Sequence, residues 1–157
     1  MTLAPGVVIA SPVGPLRIET DGAAVTRVWF HAREPVSPVS AVCGTAAEVA
    51  RQLHDYFGGR RTRFDLDVAP AGTPFQQAVW RELMHIGYGE TISYAQLAAR
   101  IGKPAASRAV GAANGQNPIP IVIPCHRVIG SNGRLVGFGG GLEMKRYLLS
   151  LEQGALF

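Results

Sequence analysis

Residues 117–127, Asn-Pro-Ile-Pro-Ile-Val-Ile-Pro-Cys-His-Arg, constrain this chain more than any other stretch. The run Ile121-Val122-Ile123 has the branched, apolar character of a short buried strand. Pro118, Pro120 and Pro124 lack the N–H that a ladder needs, so the expectation is short, irregular extended chain rather than a central strand. Such a run carries Cys125 into an apolar interior, with His126 and Arg127 directly behind it. A thiol is a weak nucleophile until it loses its proton, and a neighbouring base or cation is the usual way to make thiolate near neutral pH. Free cysteine is also among the most buried residue types, so an inert core thiol explains the same placement. Neighbouring side chains on a regular strand point to opposite faces. A working Cys125–His126 pair therefore needs a bend, and Pro124 can supply one.

Upstream, residues 7–30 read as a strand meander. Val7, Val8 and Ile9 precede the turn Pro12-Val13-Gly14-Pro15; Leu16 and Ile18 alternate with Arg17 and Glu19; after Asp21-Gly22, a third strand holds Val25, Val28, Trp29 and Phe30. Residues 31–44 are rich in Pro and Ser and read as loop. A helix is expected from Thr45 to Phe57, with Ala46, Val49, Ala50, Leu53 and Phe57 on one face, and Gly58-Gly59 stopping it. Phe64, Leu66 and Val68 alternate with Asp65 and Asp67 as a last half-buried strand. Pro70-Ala71-Gly72 is the expected boundary between residues 1–70 and residues 71–157.

The second half reads as mostly helical. Thr73 precedes Pro74 and stands three residues before Gln76, a capping-box pattern with proline at the first helical position. Phe75, Val79, Leu83 and Ile86 form its expected buried face. Ser93 and Gln96 repeat the capping pattern, with Leu97 and Ile101 facing the core. A third helix is expected from Pro104 to about Ala113. The tight turn Gly102-Lys103-Pro104 makes the pair a helix-turn-helix pattern, although on the residues alone ordinary helix packing is the favoured account. This later helix is mostly Ala and Gly, with Arg108 the only long side chain in its middle, which suits either a groove or close helix packing. A final helix spans Leu142 to Glu152, with Leu142, Tyr147, Leu148 and Leu151 as candidates for burial. The glycines of Gly137-Phe138-Gly139-Gly140-Gly141 carry no Gly-Lys-Ser/Thr and no dinucleotide fingerprint, so a phosphate loop is rejected.

Composition excludes several classes. No apolar run approaches a membrane span, and Met1 to Gly6 lacks the basic and long apolar regions of a secretory leader. The compartment is therefore expected to be reducing and cytoplasmic, where Cys43 and Cys125 stay unpaired. Two lone cysteines and four scattered histidines show no ligand-pair spacing, so neither metal nor cofactor is expected. A net charge of +4 permits nucleic-acid binding without demanding it. The cluster Arg60-Arg61-Thr62-Arg63 reads as a solvated loop.

Asn117-Pro118 followed by Ile123-Pro124-Cys125-His126-Arg127-Val128-Ile129-Gly130 resembles the signature of the O6-alkylguanine-DNA alkyltransferases. Tyr88-Gly89-Glu90-Thr91-Ile92-Ser93-Tyr94, Arg108-Ala109-Val110-Gly111 and Gly139-Gly140-Gly141-Leu142 through Leu148-Leu149 to Glu152 follow in the family's order and spacing. The resemblance is specific over residues 73–153 and looser over 8–68. It implies an α+β chain: a small N-terminal α/β domain of strands plus one helix, then a mostly helical C-terminal domain with a helix-turn-helix. It also implies a monomer that binds double-stranded DNA through the minor groove, flips the damaged nucleotide, and is nucleoid-associated in a bacterium.

The resemblance further implies residue roles. Cys125 takes the alkyl group from O6-alkylguanine, and from O4-alkylthymine, once per molecule. His126 is its base through a bridging water, Glu152 orients His126, Tyr94 protonates the departing guanine, and Asn117 holds the turn before the cysteine. Ser107, Arg108, Ala109, Gly111 and Ala112 contact DNA, with Arg108 filling the space of the flipped base. Tyr94, Asn114, Val128, Leu135, Phe138 and Gly139 line the base pocket. On the residues alone, Tyr94 is also a core aromatic and Glu152 a solvated helix end. Two positions depart from the family pattern: Gly139 where some members carry Ser, and Phe138 where many carry Tyr. They imply a roomier or more apolar pocket that accepts groups larger than methyl. Three rivals remain: a non-enzymatic binder of alkylated DNA, which would lack the cysteine; a helix-turn-helix regulator, which would need only the second half; and a Cys125–His126 hydrolase, which would turn over.

Overall fold

The computed structural model describes residues 6–154, which form two compact units that divide between Pro70 and Ala71. The N-terminal stretch read above for a leader lies, apart from Gly6, outside the described residues. The architecture is mixed α+β, with a sheet in the first unit and a mainly helical second unit.

In the first unit, β1 (Gly6–Ile9), β2 (Leu16–Thr20) and β3 (Val25–Trp29) form an antiparallel meander in that order. Ser11 and Asp21 close its turns: the Ser11 hydroxyl bonds the Gly14 carbonyl at 2.5 Å, and Asp21 Oδ1 accepts from the amides of Ala23 and Ala24. Leu16, Ile18 and Val25 are fully buried. α1 (Gly44–Phe57) contributes Val49, Gln52, Leu53 and Tyr56 to the unit's core. Tyr56 thus takes the place expected of Phe57, which is half-buried. The strand expected over residues 64–68 is reduced to a single bridge between Val25 and Val68. Its alternation is real, but the Gln52 side chain stands in for a partner strand: its amide nitrogen donates to the Asp65 carbonyl at 3.0 Å, and its oxygen accepts from the Asp65 amide at 2.8 Å.

In the second unit, α2 (Pro74–Leu83) and α3 (Tyr94–Arg100) both begin in the expected capping boxes. The Thr73 hydroxyl accepts from the Gln76 amide at 3.2 Å, and Ser93 from the Gln96 amide at 3.0 Å. α4 (Ser107–Gly115) starts three residues later than expected, because the Ala106 amide closes a turn on the Lys103 carbonyl at 2.9 Å. Trp80 anchors α2 to α4 by donating to the Ala113 carbonyl at 2.8 Å. Two parallel two-residue strands, β4 (Ile92–Ser93) and β5 (Val128–Ile129), pair Ile92 with Val128 and Ser93 with Ile129. This pairing sets the start of α3 beside the chain that follows Cys125.

α5 (Leu142–Gln153) corrects the expected burial. Leu142 is 46% exposed and Tyr147 39%, while the inward face holds Met144, Lys145, Leu148, Leu149 and Glu152. Two of those five are charged, so an apolar count places the face wrongly. None of the helices among the described residues is long and apolar enough to cross a membrane.

Candidate active site

The proline-rich segment is irregular, as its composition dictates. Asn117 organises it: its amide nitrogen donates to the Ile123 carbonyl at 2.8 Å, and its oxygen accepts from the Ile119 amide at 3.0 Å. Ile121 sits at φ 72° while fully buried. A β-branched residue disfavours that conformation, so packing and the Asn117 bonds hold it there. After Pro124 the chain turns into one 3-10 turn, Cys125–Arg127. This is the bend that a consecutive Cys-His pair needs, and it buries all three side chains.

His126 is completely buried, and its Nε2 lies 2.6 Å from Glu152 Oε2. The carboxylate assigns the proton to Nε2 and leaves Nδ1 as the ring's acceptor. Nδ1 is buried and has no hydrogen-bond partner among the described residues. Burial lowers the imidazole's affinity for a second proton, against the opposing pull of Glu152. His126 thus keeps an acceptor nitrogen available inside the core.

Glu152 gathers more than one donor. Arg127 Nε reaches its Oε1 at 2.8 Å and Nη2 its Oε2 at 3.0 Å, while the Gly89 amide donates to Oε1 at 3.3 Å. Arg127 Nη1 also donates to the Ile86 carbonyl at 2.6 Å. Burial opposes the charge on Glu152, but His126 and Arg127 outweigh it and hold the carboxyl well below the usual range. Gly89 permits this approach: it sits at φ 78°, and a Cβ there would lie 3.3 Å from the Glu152 carbonyl oxygen.

Cys125 is 5% exposed. Burial pushes its thiol up to about 11, while a bond from Asn117 and the charge of Lys145 pull it down. Asn114, buried on α4, donates to the Cys125 carbonyl at 3.3 Å and keeps its own oxygen without a partner among the described residues. The Tyr94 hydroxyl donates to the Val136 carbonyl at 3.0 Å. Burial raises its ordinary value, with a further push from Cys125. Gly111 places α4 against Tyr94, since a Cβ there would sit 3.6 Å from the ring.

The structure therefore joins Cys125, His126, Glu152 and Asn117 in one hydrogen-bonded and electrostatic cluster, with Asn114 and Tyr94 bordering it. Val128 is buried in β5; Leu135 and Phe138 are half-buried and Gly139 is exposed in the loop 130–141. Arg108, Ala109 and Ala112 lie exposed on α4, with Ser107 and Gly111 partly so. Sequence reasoning gave no role to Arg127 or Lys145. The signal was present: Lys145, Leu149 and Glu152 share one helical face, and Arg127 adjoins the Cys-His pair.

Comparison with known proteins places these features in context. Residues 74–154 match the family described as 6-O-methylguanine DNA methyltransferase, DNA binding domain. A protein of Mycobacterium tuberculosis named methylated-DNA–protein-cysteine methyltransferase is 47% identical over 148 residues, covering 92% of this chain and 90% of its own length. A protein of the same name from Methanosarcina acetivorans is 46% identical over 149 residues, covering 92% and 96%. The crystal structure of Mycobacterium tuberculosis OGT in complex with DNA superimposes with a TM-score of 0.84 at 45% identity, covering 94% of this chain and 91% of that one.

Proposed function

This chain belongs to the methylated-DNA–protein-cysteine methyltransferase family, and from that premise we propose how its residues repair alkylated DNA. The protein transfers the alkyl group of O6-alkylguanine in duplex DNA, and of O4-alkylthymine, to its own Cys125. The unit from Ala71 onward carries both DNA binding and transfer. α4 enters the minor groove with its small exposed face, Ser107, Ala109, Gly111 and Ala112. A stacked base cannot present its alkyl carbon to a buried thiol, so the nucleotide is flipped at a cost of a few kcal/mol. Arg108 occupies the gap.

In the pocket, the thiol proton passes to His126 Nδ1 through a water. Glu152 keeps the imidazole in the required tautomer and stabilises the imidazolium. The sulfur forms a bond to the alkyl carbon as the bond from that carbon to O6 breaks. Tyr94 turns its hydroxyl from Val136 to the guanine ring and donates a proton as the base leaves. Asn117 holds the cysteine turn, and Asn114, Val128, Leu135, Phe138 and Gly139 border the base. The product is a thioether that nothing in the chain reverses, so each monomer acts once, at the nucleoid if the source is bacterial. A Cβ on Gly139 would meet nothing within 4 Å, which leaves room for alkyl groups larger than methyl.

The observation that carries this reading is the buried His126, the residue after Cys125, held by Glu152 at 2.6 Å with Nδ1 unpartnered among the described residues. Intact-protein mass after mixing with a duplex containing one O6-methylguanine is the test. A gain of one methylene, mapped to Cys125 and saturating at one per chain, is expected; Cys125→Ser abolishes it and Cys43→Ser, an exposed cysteine in the first unit, leaves it intact. Tight lesion binding with no mass change would instead mark a non-enzymatic binder. Butyl- and benzylguanine duplexes test the pocket: both inert beside rapid methyl transfer would reject its wider tolerance.

A further inference from the structure

Lys145 is a buried charged residue of this region that the scheme above leaves unused. It lies on α5, fully buried, where an unpaired ammonium is costly. Its Nζ donates to the Val128 carbonyl of β5 at 2.7 Å and to the Val136 carbonyl of the glycine-rich loop at 2.9 Å. The Val136 carbonyl is the same acceptor that the Tyr94 hydroxyl uses, and Nζ stands 5.9 Å from the centre of the Tyr94 ring. Both partners of Lys145 are neutral carbonyls, so its charge is not cancelled by a carboxylate bonded to it. Arg127 is different: it stands two residues after Cys125, but its guanidinium is committed to Glu152.

We propose that Lys145 is a positioning residue for the transfer: it ties Val128, the residue that caps the Cys125–Arg127 turn, to the glycine-rich loop, and so sets a buried ammonium against the segment that carries Cys125. The titratable and charged groups around it are Tyr94 and Cys125, with His126 beyond them backed by Glu152 and Arg127. Lys145 lowers the thiol's affinity for its proton. Burial brings the lysine itself down to about 8, which leaves it mainly charged at neutral pH. The charge and the fold are coupled here, because the two carbonyls that position the ammonium belong to segments expected to border the flipped base.

This inference rests on Cys125 being the acceptor, so its test separates the two. Methyl transfer to wild-type Cys125 is verified first by mass; failure there rejects the proposed function. The charge is then tested without DNA, by the pH profile of iodoacetamide alkylation at Cys125, followed by peptide mapping to exclude Cys43. Lys145→Met removes charge and donors; Lys145→Gln removes charge but retains an amide donor, and both are checked for native circular dichroism. In either folded variant the profile is expected to move to higher pH by about one unit, a roughly tenfold loss of thiolate at a given pH. Lys145→Arg, which restores a cation, is expected to recover part of that shift. A wild-type profile in either folded neutral variant overturns the proposal, since a purely structural lysine would leave the thiol's titration unmoved.

Discussion

Glu152 is the residue on which most of the second unit's buried charge converges. Arg127 and His126 both need its carboxylate, and neither has a comparable substitute among the described residues. Glu152→Gln leaves the Arg127 guanidinium buried without a counter-charge, and the expected loss is about 3–5 kcal/mol in denaturant unfolding. The same carboxyl predicts the acid limb of stability. Its folded value lies below the unfolded value near 4.5. Its contribution is therefore complete above about pH 4.5 and fades as pH falls toward the folded value. Thermal unfolding from pH 6 down to pH 3 should show a falling midpoint that is shallower in Glu152→Gln. Lys145 has the opposite sign. Its ammonium is easier to deprotonate when folded, so burying it opposes folding fully below about pH 8, and the penalty fades as pH rises toward the ordinary lysine value near 10.5. Cys125, His126 and Glu152 were legible in the sequence because the family's signature marks them. Arg127 and Lys145 were passed over despite that spacing, since an arginine after histidine and a lysine on an amphipathic helix ordinarily face solvent.

At the scale of elements, what was legible is what is local. Both capping boxes follow from a side chain and its partner three residues on, and both are present. Thr73→Ala and Ser93→Ala are each expected to cost ~0.5–2 kcal/mol, measured by chemical denaturation. The change at Ser93 is the one expected to slow alkyl transfer too, because Tyr94 follows directly. What was missed is non-local. The β4–β5 pairing joins residues 36 positions apart through two residues on each side, too few for any periodicity to register. The expected strand over 64–68 failed for a related reason: its partner is a glutamine side chain on α1, and alternation cannot reveal what lies opposite. α5 misled because the rule that puts apolar residues inside was applied to a helix that buries a lysine and a glutamate.

For the whole molecule, the proposed scheme loads the two units unevenly. The named chemistry falls within Ala71–Phe157. A net charge of +4 and the exposed Arg108 predict that duplex affinity falls as salt rises, through release of counterions from DNA. Arg108→Ala separates flipping from chemistry. If a flipped nucleotide loses a few kcal/mol of stabilisation, transfer from duplex slows by about one to two orders of magnitude, while transfer from free O6-benzylguanine stays near wild type. Single-turnover kinetics on both substrates measures the contrast, and equal slowing on both would place Arg108 in the pocket rather than at the gap. The α+β class was legible in the alternation of the first half and the 3.6-residue spacing of the second.

The cluster on Glu152 also bears on how this chain can vary. One carboxylate closes the last helix onto the cysteine turn and fixes the imidazole, so losses of stability and of reactivity would arrive together in any mutational scan. A screen on activity alone would score the position as catalytic, and a screen on expression would score it as core. The two contributions separate only through its partners: changes at Arg127 strip the cross-link, and changes at His126 strip the base. Substitutions that relocate the acid are thereby shut off singly. In the proposed scheme, a lineage that relocated it would pass through an intermediate weakened in both folding and repair.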